Sequence, residues 1–289
     1  VCGSWTGEGK MKAETDGSVA SAARFLASIL EGEGLPLPTE AVVLGSGQGE
    51  SVPETGQAVE LAFEEIPGWP HAAVPGHAGT VLLGRYGERS VLFQKGRLHY
   101  YEGRSMEEVV FPVRVMAAVG VRSLLLCNAA GALNPAYERG FLMLVRDHVN
   151  LMGTNPLRGA RYADGSPAFV DLSDLYDGGC GDFLLRRAQA EGWPLVEGVL
   201  VAVCGPSYET GAELRFLRLI GGDAVSMSLV PEALYARYLG MRVNGLSVIT
   251  NTWDLRRPQP ISHEEVLRTA AAAAPVLKKL IQAWLDYRP

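Results

Sequence analysis

The stretch Lys95-Gly96-Arg97-Leu98-His99-Tyr100-Tyr101-Glu102-Gly103 sets an arginine, a histidine and a tyrosine at alternating positions, directly after the apolar run Ser90-Val91-Leu92-Phe93-Gln94. In an extended segment, residues two apart point the same way. The spacing predicts that Arg97, His99 and Tyr101 project together as a fixed positive charge, a titratable donor and an aromatic hydroxyl. Such a trio suits one oxyanion beside one sugar. An arginine-to-anion hydrogen bond contributes roughly 1.5–3 kcal/mol, so a single guanidinium can anchor such a ligand.

Other polar residues carry chemistry at the ends of apolar runs. Gly45-Ser46-Gly47-Gln48-Gly49 is a glycine-rich turn. Its backbone can approach an anion and form a nest of amides, or it is simply a tight turn. It lacks the third glycine of the dinucleotide fingerprint, because Glu50 stands in that place. Pro75-Gly76-His77-Ala78-Gly79 offers His77 either as an anion donor or as a surface turn histidine. Asn128-Ala129-Ala130-Gly131 follows an apolar run and reads as a small-residue turn able to offer backbone amides. In Gly205-Pro206-Ser207-Tyr208-Glu209-Thr210, Glu209 is either a helix N-terminal acid or an acceptor for ring N–H groups. Asn251 is either a turn former or an amide that donates to one ring nitrogen and accepts from another.

These residues need a scaffold, and the hydrophobic pattern supplies one. Helices are predicted over 18–30, 106–119, 182–191, 211–220, 230–239 and 263–285. Strands are predicted over 41–44, 80–83, 90–93, 123–127, 141–145, 196–204, 223–225 and 242–250, with 80–93 forming a hairpin about Tyr86-Gly87-Glu88-Arg89. The polar stretch 155–173 reads as a long loop. Several strands are continuous apolar runs, which implies a sheet covered on both faces. The expected fold is one α/β domain over 15–289, with a central mixed sheet flanked by helices. Residues 1–14 are expected to be a disordered extension, with Met11 as the natural start. Ligands of open α/β sheets gather at strand C-termini, so the candidate residues are expected to converge there.

The chain has 289 residues, 47% of them apolar, enough for a core without disulfides or metals. A net charge of −6 argues against a nucleic-acid partner, so any anion site must be local. The four cysteines form no Cys-x-x-Cys pair and the five histidines no His-x-x-x-His pair. This points to a reducing cytoplasmic setting and no metal centre. No apolar run reaches the roughly 18 residues of a membrane span, and no signal peptide is expected.

Taken together, the motifs resemble the trimeric purine nucleoside phosphorylases, a family that includes methylthioadenosine phosphorylase. The resemblance spans about 18–285 and implies that the mixed sheet is partly barrel-like. It rests on the segments above and on Phe111-Pro112-Val113-Arg114, Arg146-Asp147-His148-Val149-Asn150, Met227-Ser228-Leu229-Val230-Pro231-Glu232 and His263-Glu264-Glu265-Val266. It implies a phosphate site at Ser46, His77, Arg97, His99, the Ala129 N–H and Ser228. It implies a nucleoside site at Tyr101, Tyr208, Glu209, Met227, Asn251 and His263, with Asn251, Glu209 and His99 as the catalytic set. The implied reaction is reversible phosphorolysis of purine nucleosides, inosine and guanosine above all, 2′-deoxy forms included. Phosphate is a co-substrate, no cofactor or metal is required, and a homotrimer with sites near subunit interfaces is expected.

The sequence departs from that family at two places. Ser226 stands where glycine is usual, and the segment after Asn251 reads Thr252-Trp253-Asp254-Leu255-Arg256-Arg257-Pro258. The aromatic that such enzymes borrow from a neighbouring subunit is either Tyr162 or Phe169. Two competing readings stand beside the first: a methylthioadenosine phosphorylase, and a catalytically silent nucleoside-binding paralogue.

Overall fold

A computed structural model describes residues 17–71, 79–253 and 262–288. The expected extension at 1–14 and His77 lie outside the described residues. The strands are β1 (Glu40–Leu44), β2 (Ala58–Ala62), β3 (Thr80–Tyr86), β4 (Arg89–Lys95), β5 (Ser123–Ala132), β6 (Leu142–Asn150), β7 (Leu195–Ala202), β8 (Ala224–Ser226) and β9 (Arg242–Asn251). The helices are α1 (Gly17–Gly32), α2 (Met106–Val119), α3 (Gly178–Glu191), α4 (Gly211–Leu219), α5 (Val230–Tyr238) and α6 (His263–Asp286).

All nine strands form one mixed sheet in the order β2-β3-β4-β1-β5-β8-β7-β6-β9, and β9 returns to pair with β5. Five strands therefore close into a ring, and the other four extend from it as an arm. This is the α/β domain with a mixed sheet that the pattern implied, in the partly barrel-like form that the resemblance implied.

The continuous apolar runs arise because both faces are covered. In β1, Ala41 and Val43 join the cluster packed by α1, α2 and α5, whereas Val42 and Leu44 join the cluster packed by α3 and α6. Alternate residues point to opposite faces, so two buried faces leave no polar position.

Capping residues fix the helix starts. Ser105 accepts from Glu108 N at 3.2 Å in a capping box, and Thr210 does the same for Glu213 N at 3.2 Å. Gly120, at φ 128°, ends α2.

Two expectations are corrected, and one strand had no counterpart among those predicted. Residues 128–131 are no turn: they continue β5, which runs on to Ala132 because β9 accompanies it throughout. β2 has an exposed, polar burial pattern and pairs only with β3, so its sequence carries no strong apolar signal. The segment after β4 is not extended throughout, because Tyr100–Glu102 forms a 3₁₀ turn closed by Gly103 at φ 85°. Among the described cysteines, Cys127 and Cys180 are buried free thiols whose pKa burial raises to about 12. Cys204 is half-buried. No helix among the described residues is long and apolar enough to cross a membrane.

Candidate active site

One cavity at the C-terminal end of β1 is lined by Ser46, Arg97, His99, Tyr101, Ala129 and Ser228, and also by Tyr208, Glu209, Met227, Asn251 and His263. Every described residue assigned in the sequence to the phosphate or nucleoside site therefore meets there.

The floor begins at the turn after β1. Gly45 N donates to the buried Gln48 Oε1 at 2.7 Å. Gly47 adopts φ +71°, and a Cβ on it would lie 2.8 Å from Leu267 O of α6. The missing side chain lets α6 press onto the turn. His263, the first residue of α6, is thereby held at the cavity wall.

Arg97 is the largest fully buried side chain, only 1% exposed. Its Nη1 donates to Cys127 O at 2.8 Å and its Nε to Glu232 Oε1 at 3.2 Å. Glu232 Oε2 in turn accepts from Leu229 N at 3.1 Å. One buried carboxylate thus ties the Arg97 segment to the loop carrying Ser228. That loop is tight: Leu229 has φ +73°, and Val230 N donates to Ser228 O at 2.9 Å across it. A leucine in this region is strained, and the buried Glu232 contact holds it there.

His99 is buried, with Nδ1 2.9 Å from Glu102 Oε1, and the same oxygen accepts from His99 N at 2.9 Å. Burial lowers the His99 pKa, and the Glu102 carboxylate opposes that only in part. Burial by itself would raise the Glu102 pKa, but hydrogen bonds from His99 and Arg104 overcome it and hold the carboxyl below its usual range. Glu102 is then ionised and His99 neutral near pH 7. A carboxylate can only accept, so the imidazole carries its proton on Nδ1 and its Nε2 is an acceptor.

The 3₁₀ turn brings Tyr101 onto His99 rather than beside it, with ring centroids 4.6 Å apart and nearly parallel. Burial, with the Glu102 charge, raises the tyrosine to about 12, so its hydroxyl keeps its proton.

The opposite wall is set by β5 and β9. Their register shifts at Ala130/Gly131, and Asn251 faces Gly131. A Cβ at Gly131 would lie 2.8 Å from Asn251 Nδ2, so the glycine makes room for that amide. Thr250 Oγ1 donates to Asn251 Oδ1 at 3.1 Å. Glu209 closes this end. Burial, helped by the Glu213 charge, raises its carboxyl pKa. Tyr208 sits at the rim, 42% exposed.

The candidates for a shared aromatic lie outside this cavity. Tyr162 donates to Phe169 O at 3.1 Å and packs near Tyr238, while Phe169 is 88% exposed.

Sequence reasoning passed over Glu102, Glu232, Asn128 and Gly131 as site-shaping residues. Glu102 reads as part of a glycine-bounded turn and Glu232 as an ordinary acid after Pro231. Only the partner across the fold gives each its role.

The described residues contain no cluster of side chains suited to a metal ion. The arrangement combines buried positive charge, backbone donors and a neutral histidine at one end with a carboxyl–amide pair at the other.

Residues 40–286 match the model of the phosphorylase superfamily. The chain is 46% identical over 246 residues to purine nucleoside phosphorylase 1 of Bacillus subtilis, covering 85% of this chain and 91% of that one. It is 40% identical over 259 residues to purine nucleoside phosphorylase of Mus musculus, covering 87% and 90%. The fold matches the crystal structure of Schistosoma mansoni purine nucleoside phosphorylase in complex with adenosine, with a TM-score of 0.86 at 31% identity over 94% of this chain and 97% of that one. With a family-wide match and relatives this similar along most of their length, the chain belongs to the phosphorylase superfamily, among the purine nucleoside phosphorylases, which are pentosyltransferases.

Proposed function

We propose that this enzyme cleaves inosine and guanosine, and their 2′-deoxy forms, by phosphorolysis, with Asn251, Glu209 and His99 as the catalytic set. The observation that carries the reading is that the anion-suited group and the Glu209–Asn251 pair line one cavity. Phosphate is held by donors from Ser46, Arg97, the Ala129 N–H and Ser228, while His99 Nε2 accepts from its P–OH, with His77 assigned to it from sequence alone. Tyr101, Met227 and His263 hold the ribose, and Tyr208 packs on the base.

Breaking the C1′–N9 bond leaves positive charge on the sugar and the bonding electron pair on the purine. The phosphate dianion, HPO₄²⁻, stabilises the oxocarbenium and then forms the C1′–O bond with inversion; its proton ends on the departing purine anion, giving ribose 1-phosphate and the neutral base. The Asn251 amide stabilises charge at N7. The Thr250 hydroxyl proton has two acceptors, Asn251 Oδ1 at 3.1 Å and Ala130 O at 3.3 Å, and the nearer contact supports turning Nδ2 to the ligand. An N–H there favours a 6-oxo group over a 6-amino group. Glu209 accepts from N1–H. Proximity and preorganised donors carry the rate, with no metal or organic cofactor.

Exposed Phe169 and Leu219 suit burial in a homotrimer, and Phe169 is the better candidate to reach a neighbour's site, since Tyr162 is tied down within its own loop. The absence of a membrane-spanning helix among the described residues and the buried free thiols are compatible with the cytoplasm.

The test is incubation with inosine, guanosine, adenosine and methylthioadenosine, each with and without phosphate. Turnover of the first two, only with phosphate, is expected. Turnover of methylthioadenosine alone would move the assignment to that activity, and no turnover of any would favour a silent paralogue. Light scattering of the purified protein should give three times the chain mass; a monomer would remove the shared aromatic.

A further inference from the structure

β5 keeps β9 along one edge, but its other edge changes partner. β1 accompanies β5 only as far as Leu126, and β8 joins it only at Gly131. Residues 127–130 lie between, and Ala129 and Ala130 among them line the cavity. In a strand, one residue's N–H and C=O point to the same edge, and successive residues alternate. Gly131 turns toward β8, so Ala129 also turns its N–H and C=O into this gap, and Cys127 turns its C=O there.

An open strand edge offers donors and acceptors alike, yet an anion needs donors only. Both carbonyls in the gap are already taken. Arg97 Nη1 donates to Cys127 O at 2.8 Å, and Ser226 Oγ donates to Ala129 O at 2.9 Å. Ser226 is 8% exposed and lies just past the point where the β5–β8 ladder ends. Its oxygen accepts from Asn128 Nδ2 at 2.8 Å, and Asn128 Oδ1 accepts from Ser247 Oγ at 2.7 Å. The hydroxyl has one proton, committed to a carbonyl that can only accept. The Ser228 hydroxyl, at 3.4 Å, is too far to compete strongly for it. Ser226 therefore has no proton left for a ligand, although it lines the cavity.

We propose that Ser226 is a positioning residue for the anion: by capping the Ala129 carbonyl it leaves the gap in β5 presenting N–H alone. Asn128 Nδ2, at 3.2 Å, covers one side of that carbonyl; without the Ser226 cap its second lone pair would face the incoming phosphate. This rests on the phosphate assignment above.

Initial-rate kinetics with inosine and inorganic phosphate test both, with each substrate varied in turn. Ser226→Ala is expected to raise the KM for phosphate by about fivefold or more, the loss of one hydrogen bond, while the KM for inosine stays put. Ser226→Thr, which keeps the hydroxyl, should restore the phosphate KM. Should Ser226→Ala fail to fold, Ser226→Gly carries the same expectation. An unchanged phosphate KM in a folded variant overturns the proposal, as does an equal rise in both KM values. Wild-type turnover that needs no phosphate would sink the phosphate assignment itself; wild-type phosphate dependence with an unaffected variant sinks only the cap.

Discussion

At the scale of single residues, the site is a set of side chains whose freedom has been removed by a second set. His99 is an acceptor at Nε2 because ionised Glu102 holds the proton on Nδ1. Changing Glu102→Gln removes the charge that partly offsets burial, so the His99 pKa should fall further. The acid limb of the kcat/KM profile is expected to move to lower pH, and an unmoved limb would separate His99 from that limb. Asn251→Ala should slow inosine phosphorolysis at least about tenfold, since a preorganised donor to developing charge is worth on the order of 10²–10³ in rate. An unchanged rate would refute the role given to its amide. Arg97 shows why a buried charge needs a companion. Glu232 neutralises it, and the same carboxylate holds the strained Leu229 that leads out of Ser228.

At the scale of elements, two glycines set distances and should behave differently when changed. Gly47 is in the left-handed region, and Leu267 O blocks a Cβ there. Gly47→Ala should cost on the order of 1–3 kcal/mol of stability, read as a lower urea midpoint. Gly131 lies within β5, and what a Cβ would meet is the movable end of the Asn251 side chain. Gly131→Ala should therefore leave the urea midpoint nearly unchanged and lower kcat about as much as Asn251→Ala does. Equal stability losses in both variants would contradict this division. The gap in β5 belongs to the same scale. A strand that exchanges one neighbour for another leaves polar backbone facing the cavity, and a site can be built there without breaking the sheet.

At the scale of the molecule, burial couples stability to pH. Burial lowers the pKa of His99 and of His148 in the folded protein. As pH falls past about 6.5, the unfolded chain takes up protons at these rings before the folded one does. The stability contributed by keeping them neutral is complete above that pH and is lost as pH falls toward the folded values. The urea midpoint should drop between about pH 7.5 and about pH 5.5, and replacing His148 with Asn should flatten part of that drop. A midpoint indifferent to pH over this range would mean that neither ring is shielded from water.

The helices over 106–119, 230–239 and 263–285 and the 80–93 hairpin were legible in the chain, because caps, periodicity and turn glycines are local. The mixed, two-sided sheet followed from runs such as Ala41-Val42-Val43-Leu44, which leave no face for water. Most residues of the cavity were legible as well, since polar side chains at the ends of apolar runs must emerge at strand ends. What the tertiary structure alone decided depends on contacts between distant segments. Residues 128–131 look like a turn until β9 is laid beside them, and β2 is a strand only because β3 offers an edge. The closure of five strands into a ring, the pairing of Arg97 with Glu232 and the capping of Ala129 by Ser226 join residues about a hundred positions apart. Local sequence specifies which groups are available. Long-range pairing specifies which of them remain free to meet a ligand, because each hydrogen bond made within the fold uses up a donor or an acceptor.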